Sequence, residues 1–178
     1  MKATNELKKL SLLVILLLLS AFAWCQTESD KMLYLRAGGG ASMLGVMQGG
    51  GSGPSLSVGA EWVNPVRKYG EVTVGVFLSG VRGHVHNNMD KSKKKIWGML
   101  TVPVKYKLLL GEFIYLDGGA YFDIGPGVVI GPGIGFGFDV PIVKSLYAGV
   151  YGNARVGLGL GAMVNTNAIA NLSYRFKL

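Results

Sequence analysis

Residues 170–178 read ANLSYRFKL. Leu172, Tyr174, Phe176 and Leu178 fall on one parity, and Asn171, Ser173, Arg175 and Lys177 on the other. Side chains of a strand point alternately to its two faces, so this pattern describes a ribbon between two different solvents. An apolar face that runs to an aromatic two positions from the end suits a strand that closes a sheet and looks into lipid. The parity therefore predicts hydrocarbon outside and a polar interior.

Working back from this end, seven further segments alternate in the same way. They cover 32–43, 55–63, 71–83, 96–108, 113–124, 128–140 and 145–161. The third is the cleanest, with Val72, Val74, Val76 and Leu78 against Glu71, Thr73, Gly75 and Ser79. In the sixth, Val128, Ile130, Ile134, Phe136 and Phe138 face out, and Gly131, Gly133, Gly135, Gly137 and Asp139 face in. The apolar period is two and glycine is spread through every segment, which disfavours helix. Pro103 and Pro132 sit inside strand patterns, where each predicts a bulge or a missing ladder bond. The expected fold is all-β, an eight-stranded antiparallel transmembrane up-and-down β-barrel over 32–178.

The connections support this. Residues 44–54 (LGVMQGGGSGP) and 84–95 (HVHNNMDKSKKK) are long, whereas 109–112 (LLGE) and 141–144 (PIVK) are tight. Residues 64–70 are intermediate and 125–127 (GPG) short. Long loops at one end and short turns at the other is the pattern of outer-membrane barrels.

The N-terminal 25 residues read as a secretory signal. Lys2, Lys8 and Lys9 precede an apolar run from Leu10 to Ala23, which is 14 residues and short of the ~20 a membrane helix needs. Cleavage is expected after Ala23 or after Cys25, leaving 26–31 as a short linker. Cys25 is the only cysteine, so no disulfide forms within the chain, and Trp24 before it argues against a lipidated cysteine. The net charge of +8 falls to +6 without the signal, which carries three lysines and Glu6. About 150 residues remain, enough for one domain. Glycine supplies 28 of 178 residues, yet 49% of the chain is hydrophobic, so this is no flexible linker.

The inner parity carries Arg36, Lys105, Lys107, Arg155, Arg175 and Lys177 against Glu61, Glu71, Asp117, Asp123 and Asp139. Near balance predicts a salt-bridged plug, since an ion-selective pore would show one sign. Lys105 and Lys107 are expected to face Asp117 and Asp123 across a hairpin. An eight-strand barrel is just wide enough for side chains to fill. The glycines of the sixth segment are expected to make room for Trp97, Tyr121, Tyr147 or Tyr151, with a small ligand cavity as the alternative.

Catalytic patterns are weak. His84 and His86 lack further ligands and read as a solvated loop edge, not a metal site. Ser79 and His84 have opposite parities, so they make a poor hydrolase pair. GGGSGPS at 49–55 lacks the GK[ST] ending of a phosphate loop. No enzyme activity and no cofactor are expected. The cluster Lys91, Lys93, Lys94 and Lys95 is either a solvated patch or a contact for lipopolysaccharide phosphates. Without interleaved aromatics it does not suggest nucleic acid.

Four motifs occur in order: Val102-Pro103 followed by Lys105-Tyr106; Tyr115, Gly119 and Tyr121; Gly131, Gly133 and Gly135; and Tyr174-Arg175-Phe176. In these the chain resembles the small outer-membrane β-barrel proteins of Bacteroidota, the PorT-like group, over most of 32–178. The resemblance implies an eight-strand barrel in the Gram-negative outer membrane with no shared catalytic residues, and a named member of the group belongs to the type IX secretion machinery. Expected partners are outer-membrane lipids and envelope proteins. The leading expectation is a non-enzymatic envelope scaffold or surface protein. The alternatives are an accessory of a secretion or transport assembly, or a barrel that binds a small ligand or lipid.

Overall fold

The computed structural model describes residues 31–46, 49–84, 94–125, 128–159 and 162–178. The expected signal (1–25), nearly all of the linker, His86, Lys91 and Lys93 lie outside the described residues, as do the side chains of His84, Lys94, Lys95 and Trp97. The strands are β1 (Met32–Val46), β2 (Gly49–Arg67), β3 (Gly70–His84), β4 (Lys94–Leu109), β5 (Ile114–Ile124), β6 (Val128–Val143), β7 (Leu146–Gly159) and β8 (Ala162–Lys177). Each pairs antiparallel with the next, and β8 returns to β1 to close the barrel. In that seam Leu35 faces Tyr174 and Leu33 faces Phe176, so the terminal strand closes the sheet.

Several boundaries differ from the sequence reading, with β2 running to Arg67 and β6 to Val143. Residues 44–54 are mostly strand, with Leu44 opposite Gly51 and Met43 opposite Ser52. β7 ends at Gly159, and β8 begins at Ala162, eight positions before the quoted stretch. Over 44–54 and at the start of β8 the reason is the same. Ladder bonds need only backbone, and glycine or small polar side chains give no alternation to read.

The prolines act as missing rungs. The β3–β4 ladder passes from Val74–Val104 to Phe77–Thr101, and the β6–β7 ladder from Ile130–Leu158 to Gly133–Arg155, with register unchanged across each gap. Proline has no N–H to donate, which accounts for the skip without a bulge. The bulges lie elsewhere, at Pro65/Arg67 and Pro141/Val143, just before two tight turns.

The register also sets the width. From Met32 the paired residues run through Val63, Thr73, Lys105, Gly119, Gly133, Arg155 and Asn165, and return to β1 at Leu44, twelve positions along. A larger stagger at fixed strand number means more tilt and a wider cylinder, beyond the eight-residue shear of an eight-strand α/β barrel.

The molecule is apolar outside and polar inside. Leu56 and Ile134 are 73% and 70% exposed, whereas Glu61 is 1% exposed and Thr73 and Ser173 are fully buried. Among the described residues, Leu44, Met99 and Val129 form a small buried apolar cluster. Tyr69, Tyr106, Phe113, Phe138, Tyr174 and Phe176 are exposed at the short-turn end. Such an aromatic girdle suits a membrane–water interface.

Candidate functional site

The lumen holds ten of the eleven ionisable residues that parity places inside, all but Lys177. One connected chain begins at Arg175, whose Nη2 lies 2.8 Å from Asp139 Oδ2. The same oxygen lies 3.5 Å from Arg36 Nη2, and Arg36 Nε is 3.4 Å from Glu61 Oε2. Lys105 Nζ then bridges Glu61 at 2.9 Å and Asp117 at 3.0 Å. Tyr151 donates to Asp117 Oδ1 at 3.0 Å and lies 3.3 Å, hydroxyl to hydroxyl, from Tyr121. Two separate pairs complete the set: Lys107 with Glu71 at 3.4 Å, and Arg155 with Asp123 at 3.0 Å.

Two expected partnerships differ. Of the pairings expected between β4 and β5, Lys105–Asp117 forms. Lys107 instead turns to Glu71 on β3, and Asp123 takes Arg155 from β7 together with the Thr101 hydroxyl at 2.5 Å. Parity fixes the face of a residue but not its partner: Lys107 stands directly opposite both Glu71 on β3 and Asp117 on β5, and Asp123 reaches over β6 to β7. Lys177 is exposed at the rim and does not enter the lumen.

Aromatic rings fill the spaces between the charges. The Arg175 guanidinium lies 3.5 Å from the Tyr147 ring centre and 4.6 Å from that of Tyr34. Lys107 Nζ lies 4.2 Å from the Tyr115 ring centre. Cations over aromatic faces are stabilised by the ring quadrupole, more so when desolvated.

The glycines of β6 make this filling possible. A Cβ on Gly137 would stand 2.1 Å from Tyr115 Cζ, one on Gly133 2.5 Å from the Tyr121 ring, and one on Gly135 2.4 Å from the Tyr151 hydroxyl. Three tyrosines thus lie against a bare strand. Tyr121 and Tyr151 are the residues that parity suggests for this space. Tyr147 lies over Arg175 instead, and Tyr115 takes the third place.

Across the barrel the wall is lined by small side chains, and a cavity of about 80 Å³ remains above the ion-pair chain. Ser57, Ser79, Asn153, Asn167 and Asn171 border it, with Phe77 and Ile169 as its apolar patch. Asn167 donates to Asn153 at 3.1 Å, and the Ser79 hydroxyl donates to the Met99 carbonyl at 3.4 Å, so Ser79 is held by backbone. The Leu44–Met99–Val129 cluster lies one rung nearer the long-loop end. Sequence reading missed the Asn165, Asn167 and Ile169 side of the lumen because it began the last strand too late. Their odd numbering continues the inward parity of Asn171 and Ser173 and was the available signal.

No family model matches the chain, and no curated protein matches it. Among solved structures it is similar to the outer membrane protein OprG from Pseudomonas aeruginosa, at 10% identity and TM-score 0.53, over 86% of this chain and 99% of that one. It is also similar to Ail, the attachment invasion locus protein of Yersinia pestis, at 10% identity and TM-score 0.47, over 83% and 99% of the two chains. At these identities the OprG likeness speaks to the fold, a small closed barrel.

Proposed function

We propose that this chain is a non-enzymatic barrel of the Gram-negative outer membrane whose lumen is a salt-bridged plug, and that it serves as an envelope scaffold or surface protein. One observation carries the reading. Among the described lumen residues, five cations (Arg36, Lys105, Lys107, Arg155, Arg175) and five carboxylates (Glu61, Glu71, Asp117, Asp123, Asp139) each have an opposite-sign partner within 3.5 Å. A lining whose charges are committed to one another offers a passing ion no net attraction, and breaking a pair leaves a charge buried alone.

Export by the 1–25 signal and insertion into the outer membrane agree with the apolar exterior and the aromatic girdle. The ordered motifs from Val102-Pro103 to Tyr174-Phe176 support placement with the PorT-like barrels of Bacteroidota. At the long-loop end, Lys91, Lys93, Lys94 and Lys95 would meet lipopolysaccharide phosphates. The test is refolding into planar bilayers, with boiled and unboiled samples compared on a denaturing gel. A compact, heat-shifted species without stepwise current is expected. A steady charge-selective current would overturn the plug.

A further inference from the structure

The lumen cavity lies between two different layers. On the short-turn side stands the chain of ion pairs, and on the long-loop side the Leu44–Met99–Val129 cluster, which does not itself line it. Between them the wall keeps unused hydrogen-bonding capacity. Asn171 Oδ1 is buried and accepts no hydrogen bond. Arg36, whose side chain is nine-tenths buried, has Nε and Nη2 without a hydrogen bond, its carboxylates standing at 3.4 and 3.5 Å. Arg155 Nε is likewise unbonded. All three residues border the cavity. A buried donor or acceptor left unmade is costly, so an occupant with both lone pairs and hydroxyls is favoured.

Three features narrow that occupant. The neighbouring charges are already neutralised, so a charged solute would have to break a pair. About 80 Å³ is open to the centres of water-sized molecules, against the ~10–15 Å³ that one water needs in that measure, so the cavity takes several waters or one small organic molecule. The wall is also not uniformly polar. Phe77 and Ile169 offer an apolar patch to which water gains nothing by binding and against which C–H groups pack. A polyol presents both kinds of surface.

We propose that this chamber binds one small neutral polyol. This inference rests on the ion-pair plug as the floor of the chamber.

The test uses the full chain refolded in deuterated detergent and titrated with carbon-13-labelled glycerol. Intermolecular nuclear Overhauser effects from glycerol C–H protons to the Phe77 ring and the Ile169 methyls should appear and saturate. They should vanish in Ser57→Phe, whose ring occupies the chamber. Should that variant fail to fold, Ser79→Leu serves the same purpose. Glycerol 1-phosphate, which is charged, should give none. Unsaturable effects, effects equal in the filled variants, or exchange cross-peaks from water alone would overturn the proposal. Bilayer current recorded on the same sample separates the two ideas. No glycerol effect without current defeats only the chamber, whereas an ion current defeats the plug beneath it.

Discussion

Lys105 on β4 and Glu61 on β2 meet at 2.9 Å although β3 runs between their strands. The register shows how. Glu61 pairs with Gly75, and Lys105 pairs with Thr73 two residues away. Gly75 carries no side chain, and a Cβ there would stand 2.8 Å from the Phe77 ring and 3.1 Å from the Ala60 carbonyl. The Lys105–Glu61 contact thus spans β3 and joins the ion pairs of β1 and β2 to those of β4 and β5.

Glu61 is the hub of that chain, with Arg36 on one oxygen and Lys105 on the other. Glu61→Gln removes one charge and leaves two buried cations short of a partner. It should cost about 3–5 kcal/mol, the range for breaking a buried pair from one side. Glu61→Gln combined with Lys105→Met should cost less than the sum of the two changes, because the second removes a charge the first has stranded. Urea unfolding in lipid vesicles measures both. Additive losses would mean the pair is not coupled.

Gly137 is covered by its direct ladder partner on β5, since its missing Cβ would stand 2.1 Å from Tyr115 Cζ. Gly137→Ala should therefore destabilise the barrel by about 1–3 kcal/mol, as overpacked interiors do. Adding Tyr115→Leu should recover part of the loss, because the smaller side chain clears the site. The same tyrosine change alone in the wild-type background should destabilise. Vesicle unfolding curves for the three variants decide whether the glycine and the ring are one unit.

Arg175 packs its guanidinium between the rings of Tyr147 and Tyr34 while reaching Asp139 at 2.8 Å. A planar group can stack and pair at once, and an ammonium cannot. Arg175→Lys keeps the charge yet should lose about 1–2 kcal/mol from the stacked contacts. The near-ultraviolet dichroism of the tyrosines should weaken with it. An unchanged spectrum together with unchanged stability would show that the stacking contributes nothing.

The sequence exposed the faces of the strands more fully than their ends or their partners. Val72, Val74, Val76 and Leu78 alternate against Glu71 and Thr73 because lipid and lumen impose opposite demands at neighbouring positions. Strand ends were hidden where Gly49, Gly50 and Gly51 pair through backbone alone. Lys107 has a direct ladder neighbour on each side, Glu71 on β3 and Asp117 on β5, and parity alone does not choose between them; Asp123 reaching Arg155 over β6 follows from the tilt of the closed cylinder and from no single segment. The chamber was hidden for a related reason. It is the space left when Tyr115, Tyr121 and Tyr151 settle against the β6 glycines and Ser57 and Ser79 face them from the other side.

Val76 and Thr73 lie three residues apart on β3 and test the two solvents against each other. Val76 is half-exposed on the outer face, and Thr73 is fully buried in the lumen. Val76→Arg places a charge in hydrocarbon and should cost about 2–4 kcal/mol if the position lies near the bilayer midplane. The loss should shrink in short-chain detergent, where the long side chain reaches water. Thr73→Ser removes one methyl from a packed interior and should cost about 1 kcal/mol. The contrast depends only on which way each side chain points. Folding of the Val76 variant into vesicles at wild-type yield, with matched unfolding midpoints, would mean that the outer face of β3 does not meet lipid.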